Sequence, residues 1–380
     1  MLLLVQKTLS IGIDLGGTSL RVGLFDSSMV QLDSCCITTR VSAGPDAVVG
    51  DMANCIRQLT GMVDKNTPLA GIGIGSPGPL DLRRGVLGLL PNFPGWDGYP
   101  LRDKVAGVSS LSVFLESDAN AAAIAEWQLG AGREANVESL AVITLGTGVG
   151  SGLIMHGHVC DGITGMGGEI GHVSIDHDGP ECPCGSRGCL ELYASSSGVI
   201  RLAHKYAAAS GSSAELKEMT SRSSGFTAHE VAQLAELGDA GAMQVFQDLG
   251  SRLGFGIAGL INTLNPPLIV IGGGVASAWK LFAPSMFASI RRYSIVYRLG
   301  EPSQVETMEP DKTFIRPAAL GPAAGLLGAA LLPFLAGTRG KPSAYGQNPS
   351  CSVDSSSAFL PDSHAVSVGL ENNCQGWPAS

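Results

Sequence analysis

The feature that most constrains the fold of this chain is a glycine-rich segment that occurs twice. Residues 11–18 read Ile-Gly-Ile-Asp-Leu-Gly-Gly-Thr, and residues 141–148 read Ala-Val-Ile-Thr-Leu-Gly-Thr-Gly. In each copy an apolar run leads into a glycine turn and a second apolar run follows, which predicts a strand, a tight hairpin and a second strand. A repeat on this scale indicates two related α/β halves that face each other across a cleft.

Both hairpins carry the residue types of a phosphate-binding turn. Glycine lets the backbone approach an anion, and threonine adds hydroxyl and N–H donors. Asp14, at the end of the first strand, is suited to hold Mg²⁺ through water. Either hairpin alone is also compatible with an ordinary β-turn, but two in matching positions favour a nucleotide clamp.

A third glycine run, Gly272-Gly273-Gly274, follows an apolar strand and is predicted to open a helix. Backbone N–H groups at the start of a helix favour an anion, although a plain tight turn explains the run equally well. The full set of residues expected to bind the nucleotide or its magnesium ion is Asp14, Gly16, Gly17, Thr18, Gly146, Thr147, Gly148, Gly273 and Gly274.

The tightest cluster of metal-binding residue types is one histidine and three cysteines: His172, Cys182, Cys184 and Cys189. One imidazole and three thiolates complete a tetrahedral zinc site with no open position, which is the pattern of a structural zinc. A cytosolic chain with such a cluster is expected to bind metal rather than to form disulfides. Three reduced cysteines without a metal are one alternative, and His177 is the alternative histidine ligand.

Three carboxylates are candidates for substrate chemistry. Glu169 and Glu191 flank the cysteine cluster, so a zinc-stiffened loop would present two acceptors suited to the hydroxyls of a polyol. The alternative is that both are solvated surface residues. Asp118 precedes an alanine-rich stretch and is the candidate general base, although the same position also suits the N-cap of a helix.

The remaining pattern predicts several helices and a change of character near the end of the chain. Helices are predicted over 45–64, 118–132, 190–206, 228–264 and 320–334. The expected domains are a small α/β domain of residues 9–118 plus about 318–335 and a large α/β domain of residues 119–317. Residues 336–380 lack apolar periodicity and are predicted to be a disordered tail.

Composition argues against two classes of partner. The net charge is −9 and no cluster of Lys and Arg is present, so nucleic acid is not an expected partner. No stretch of about 20 residues is purely apolar, so no membrane span is expected. The apolar start, Met1–Val5, is too short for a signal peptide, and the expected location is the cytoplasm.

Taken together, the motifs resemble the ROK family of sugar kinases, within the actin-like ATPase superfamily. The resemblance runs from about residue 9 to 335, and its motifs are Asp14–Thr18, Leu145–Gly148, Glu116–Asn120, Gly167–His172 with Cys182–Glu191, and Asn265–Gly274. It implies two actin-like, ribonuclease H-like α/β domains flanking a nucleotide and sugar cleft. It also implies ATP, Mg²⁺ and a structural Zn²⁺.

The resemblance also implies residue roles. Asp118 would be the catalytic base, and Glu169, His172 and Glu191 would contact the sugar. One ring nitrogen of His172 would bind zinc while the other faces the sugar. The resemblance also implies sugar contacts by Asn92, Ser117 and Asp118. Ser117 is a departure from the family pattern, because Asn usually occupies that position.

The resulting hypothesis is an ATP-dependent kinase that phosphorylates the 6-hydroxyl of a hexose, with glucose as the first choice. N-acetylglucosamine, N-acetylmannosamine, fructose and allose are alternative sugars. A homodimer or homotetramer is expected, since family members commonly pair. A sugar-responsive transcriptional repressor is the second hypothesis. Such repressors carry a helix-turn-helix segment before the first phosphate motif, and the early position of Asp14 argues against it.

Overall fold

The computed structural model describes residues 8–88, 90, 93–304 and 307–336, and two five-stranded sheets form its framework. The strands of the first half are β1 (Leu9–Leu15), β2 (Ser19–Asp26), β3 (Gln31–Thr38), β4 (Leu69–Ser76), the short pair β5 (Leu80–Asp81) and β6 (Val86–Leu87), and β7 (Val113–Ser117). Those of the second half are β8 (Leu140–Leu145), β9 (Val149–Met155), β10 (His158–Val159), β11 (Leu268–Gly272) and β12 (Phe314–Pro317).

The two sheets have the same topology, which confirms the prediction of two related α/β halves. The first has the order β3-β2-β1-β4-β7, and the second has the order β10-β9-β8-β11-β12. In each, three antiparallel strands form a meander and two further strands add in parallel. The central strands of both sheets are buried, as expected for strands covered on both faces.

Twelve α-helices surround the sheets in the described part of the chain. They are α1 (Pro45–Gly61), α2 (Leu101–Ser109), α3 (Asp118–Gln128), α4 (Ala131–Ala135), α5 (Glu191–Ala194), α6 (Ser196–Ala207), α7 (Ala214–Ser221), α8 (Ala228–Glu236), α9 (Ala240–Leu264), α10 (Trp279–Tyr293), α11 (Ile295–Gly300) and α12 (Ala324–Leu335). Short 3₁₀ turns cover Val41–Ala43, Ile170–His172, Gly274–Ala278 and Gly321–Ala323.

Three helices predicted to be continuous are each divided in two: the stretch 118–132 is interrupted at residues 129–130 between α3 and α4, and the other two break at a capping residue. The stretch 190–206 breaks at Ser195, whose hydroxyl caps α6 by accepting the Gly198 N–H. The stretch 228–264 breaks at Gly238, which has a φ of 93°, and Asp239 then caps α9. In these two cases a local cap satisfies the first N–H groups of the new helix, so apolar periodicity alone hides the break.

Helices α3 and α12 pack closely against each other next to both sheets. A β-carbon at Gly328 would overlap the carbonyl oxygen of Ala121, so the two backbones are in direct contact there. Helix α12 also packs on β1 and β4, where a β-carbon at Gly12 would lie 2.6 Å from the Leu326 oxygen. Helix α12, the last helix of the described residues, therefore returns to the first sheet after β12 has completed the second.

The domain boundaries stated above stay a prediction, and the predicted tail, residues 336–380, lies outside the described residues except for Ala336, which ends α12 as its C-cap. Within the described ranges, none of the helices combines the length and the apolar character needed to cross a bilayer.

Candidate functional site

The first hairpin, between β1 and β2, is held in shape by backbone bonds and by one threonine. The Gly16 N–H donates to the Ser19 oxygen at 3.0 Å. The Thr39 hydroxyl donates to the Gly16 oxygen at 2.7 Å, and the Thr39 N–H donates to the Thr18 oxygen at 2.9 Å. Gly17 and Thr18 are exposed at the tip. Sequence reasoning missed Thr39, which lies outside the motif.

The second hairpin, between β8 and β9, is fixed by the start of α6. The Gly146 N–H donates to the Gly148 oxygen at 2.9 Å, and the Ser196 N–H donates to the Gly146 oxygen at 2.8 Å. The Ser197 hydroxyl donates to the Thr147 oxygen at 3.1 Å, while Thr147 itself is exposed. The two hairpins differ in loop length, since Leu15 pairs with Leu20 in the first and Leu145 with Val149 in the second, but each is anchored from outside its own strands.

The third glycine run lies beside the second hairpin. Gly273 has a φ of 87°, and a β-carbon there would lie 2.4 to 2.6 Å from backbone atoms of Leu145, the last residue of β8. Gly274 opens the short 3₁₀ turn, and α10 begins only at Trp279. The run therefore does open a helix, as predicted, but the first five residues of that helix are in 3₁₀ form.

Asp118 is the first residue of α3 and lies at the carboxyl end of β7. The N-cap is Ser117, whose hydroxyl accepts the Asn120 N–H at 3.1 Å, so the capping role considered for Asp118 belongs to its neighbour. The Asp118 carboxylate accepts the Ala119 N–H at 2.7 Å. A β-carbon at Gly75 would lie 3.7 Å from the Asp118 α-carbon. The side chain of Asp118 is open to the cleft.

Asp14 faces the same place from β1, since it pairs in register with Gly75. Its carboxylate is buried, forms an ion pair with Arg21 and lies beside the first turn of α12, where a β-carbon at Gly325 would be 3.1 Å away. Burial raises the pKa of Asp14, and the Arg21 guanidinium opposes that rise. Sequence reasoning did not find Arg21, although it is the cross-strand partner of Asp14.

A row of carboxylates connects the two hairpins. Burial within the cleft raises the pKa of Asp118 to about 7, and the charges of Asp14 and Glu169 act in the same direction, against the Ala119 N–H bond. Burial also raises the pKa of Glu169, with His172 opposing and Glu191 adding to the rise. The charges of Asp14 and Glu169 thus act on Asp118, and the charge of Glu191 acts on Glu169, so these four carboxylates form an acidic row.

Glu191 ends this row at the second hairpin. Its Oε2 accepts the Val149 N–H at 3.0 Å, and a β-carbon at Gly148 would overlap the same oxygen. Across the cleft, a β-carbon at Gly78 would lie 3.6 Å from Glu169 Oε1, so the loop after β4 faces the row. Of the other predicted sugar contacts, Asn92 lies outside the described residues.

The four predicted zinc ligands come together. The ligand atoms of His172, Cys182, Cys184 and Cys189 all lie within 4.8 Å of one another. Tetrahedral zinc with ordinary bond lengths places two sulfurs about 3.8 Å apart and a sulfur and a nitrogen about 3.6 Å apart. The Cys184 and Cys189 sulfurs are separated by 3.7 Å, and Cys182 Sγ and His172 Nδ1 by 3.8 Å. The residues present therefore fit a zinc ion.

His177, the alternative ligand, is exposed and lies next to Asp178, 3.1 Å from its carboxylate. It is not part of the cluster. The chosen His172 directs Nδ1 toward the sulfurs, which leaves Nε2 on the opposite side of its ring.

The cysteine loop is also braced by residues that carried no sequence signal. The Tyr193 hydroxyl donates to Asp176 at 3.1 Å. The guanidinium groups of Arg252 and Arg201 lie 4.0 and 4.8 Å from the Tyr193 ring centre, and Arg252 also pairs with Asp176. The loop is thereby fixed to α5, α6 and α9 independently of a metal.

Comparison with known proteins agrees with this architecture. The sequence profile of the ROK family matches residues 10–334. The chain belongs to the ROK family. The glucokinase of Thermotoga maritima is 35% identical over 326 residues, which cover 86% of this chain and 97% of that protein.

Solved structures of the family share its two-domain actin-like fold. A ROK family glucokinase from Streptomyces griseus, in complex with glucose and AMPPNP, has a TM-score of 0.69 and 32% identity, covering 85% of this chain and 98% of that one. Transcriptional repressors are also among the relatives of this chain. The xylose repressor of Bacillus subtilis is 30% identical over 232 residues, which cover 61% of this chain and 55% of the repressor.

Proposed function

We propose that the chain is an ATP-dependent hexose kinase that phosphorylates the 6-hydroxyl of its sugar, with glucose as the preferred substrate. The observation that carries the proposal is the position of Asp118. Its carboxylate lies in a cleft whose acidic lining runs from one glycine-rich hairpin to the other. Such a cleft brings a proton acceptor, phosphate-binding turns and hydroxyl acceptors within reach of one another.

The nucleotide phosphates would be held by backbone N–H groups of the two hairpins. Gly17, Thr18 and Thr147 are exposed at the tips, so their N–H and hydroxyl groups are accessible to a ligand. The Gly273–Gly274 run beside the second hairpin would approach the nucleoside end. Asp14 would hold Mg²⁺ through water, and that ion would neutralise charge on the phosphates.

Asp118 would act as the general base. The sugar 6-hydroxyl gives its proton to the Asp118 carboxylate as its oxygen attacks the γ-phosphorus, the bond to the β–γ bridging oxygen breaks, and ADP leaves. The proton then passes from Asp118 to solvent. A carboxyl pKa of about 7 suits this task, because the base is both available and strong enough near neutral pH.

The sugar would lie between the acidic row and the zinc loop. Glu169 and one oxygen of Glu191 would accept hydroxyl hydrogens, and His172 would offer Nε2 while Nδ1 binds zinc. A zinc ion held by His172 and the three cysteines would stiffen this loop without taking part in the reaction. Ser117 uses one lone pair of its hydroxyl oxygen to cap α3, and its hydroxyl hydrogen would be donated to a sugar oxygen.

The test is a substrate panel on the purified, zinc-loaded protein with a coupled ADP assay. Glucose should give the highest kcat/KM among glucose, N-acetylglucosamine, N-acetylmannosamine, fructose and allose. A tenfold preference for another sugar, equivalent to about 1.4 kcal/mol of transition-state binding, would replace glucose as the substrate and leave the kinase standing. No ADP release with any hexose would refute the kinase itself. The Asp118→Asn variant, assayed in parallel, gives the background rate of ADP release.

A further inference from the structure

Between β12 and α12 the chain crosses from the second sheet to the first, and two charged side chains hold this crossing segment, residues 318–323. At one end Glu126 accepts the Leu320 N–H at 2.8 Å and the Ala319 N–H at 3.2 Å. Glu126 is fully buried and accepts the Ala131 N–H as well, at 3.0 Å. Three backbone N–H donors thus offset the free-energy cost of burying the Glu126 carboxylate.

At the other end of the crossing segment Arg21 donates to the Pro322 oxygen at 2.7 Å. The same guanidinium forms the ion pair with Asp14. One planar group therefore joins the first phosphate hairpin to the segment that connects the two halves of the protein. The fork of an arginine suits two such contacts at once, because its N–H groups point in fixed directions.

Between these two anchors lies Gly321, which has a φ of 53°. A backbone angle in the left-handed region is accessible to glycine at little cost, so this residue can absorb a rotation that its neighbours resist. Glu126 fixes the segment before Gly321 to α3, the helix that begins with Asp118. Arg21 fixes the segment after it to β2 and, through Asp14, to the nucleotide site.

We propose that Arg21 is a positioning residue that couples nucleotide binding at Asp14 to the relative movement of the two halves that brings sugar and nucleotide together. The inference deepens the proposed function and rests on it. When a nucleotide and its magnesium ion bind at Asp14, the ion pair between Asp14 and Arg21 changes. Because the Arg21 guanidinium also donates to the Pro322 oxygen, that change reaches the crossing segment. A sugar bound on the other side of the cleft favours the same relative movement of the two halves. Sugar binding should therefore raise the affinity for the nucleotide.

The experiment measures this coupling by calorimetry, without turnover. The dissociation constant of MgADP is determined for the full-length protein with and without saturating glucose, and that of glucose with and without MgADP. In the unaltered protein, each ligand should lower the dissociation constant of the other at least fivefold. In Arg21→Met, which keeps side-chain length but removes the donors, the factor should fall to less than twofold while glucose alone binds as before.

Two further variants make the result decisive. Arg222→Met removes another arginine–carboxylate pair, more exposed than that of Arg21 and formed with Glu230 far along the chain, and should keep the full coupling. Arg21→Lys keeps a cation beside Asp14 and should recover part of the coupling, which also covers the case in which Arg21→Met does not fold. Unchanged coupling in both Arg21 variants, or no coupling in the unaltered protein, would overturn the proposal. A protein that binds glucose and MgADP with coupling but transfers no phosphate would refute the kinase and not the role of Arg21.

Discussion

Replacing Asp118 by Asn should slow phosphoryl transfer and, at neutral pH, make the folded protein more stable. The first effect follows from the loss of the proton acceptor, which is worth roughly 10²- to 10⁴-fold in kcat. The second follows from the environment of the carboxylate. Burial and the charges of Asp14 and Glu169 raise the pKa of Asp118 from 3.8 to about 7, so the fold disfavours the ionised form.

The sign of the pH dependence follows from proton binding. Since the folded protein holds this proton more tightly than the unfolded chain, the contribution of Asp118 to stability is greatest below about pH 4. That contribution is lost as the pH rises through about 7. An amide imitates the protonated carboxyl and does not titrate. The stability advantage of Asp118→Asn should therefore be absent near pH 4 and complete near pH 8.

The size of the advantage is limited by solvent. In a fully enclosed group, a pKa raised from 3.8 to about 7 would correspond to about 4 kcal/mol. Because Asp118 is open to the cleft, screening reduces this figure, and we expect about 1 kcal/mol, or roughly 2 °C in Tm.

The assay compares Tm of the two proteins at pH 4.5, 6 and 8, together with kcat at saturating glucose and MgATP. Asp118→Glu serves as the control that keeps a titrating carboxylate. A difference in Tm that is the same at all three pH values would show that the fold does not disfavour the ionised form of Asp118. A kcat near that of the unaltered protein would remove Asp118 from the mechanism.

Four other outcomes are expected. Elemental analysis should find one zinc per chain, and Cys184→Ser should lower that content and raise KM for the sugar, with KM for ATP as the internal control. Gly148→Ala should displace Glu191, whose oxygen occupies the space of the new β-carbon, and reduce kcat/KM for the sugar by about tenfold or more, the worth of a charged hydrogen bond. Gly328→Ala should lower Tm by several degrees, because the added methyl group meets the carbonyl of Ala121; overpacking of this kind costs about 1–3 kcal/mol. Sedimentation should give a homodimer or homotetramer, and a monomer at all concentrations would contradict that expectation.

Much of this protein could be predicted from short segments of its sequence. The glycine hairpins, their strands and the cysteine cluster each lie within a run of about 20 residues, and their chemistry is set by residue types at fixed spacing. The repeat of the hairpin then indicated two similar halves, and the sheets have that arrangement. Helix ends were less accessible, since a cap such as Ser195 leaves the apolar period of the surrounding residues unchanged.

Only the tertiary structure decided which distant groups meet. Arg21 and Pro322 are separated by 301 positions, and Glu126 and Leu320 by 194. No local pattern marks such pairs, because a backbone carbonyl or N–H is present at nearly every residue and becomes a partner only when folding places it there. The same holds for Glu191, whose residue type suited a sugar contact but whose bond to the second hairpin depends on how α5 packs against β9. Sequence fixes the chemical groups that a site contains, whereas their distances and pKa values follow from the packing of two halves that are far apart in the chain.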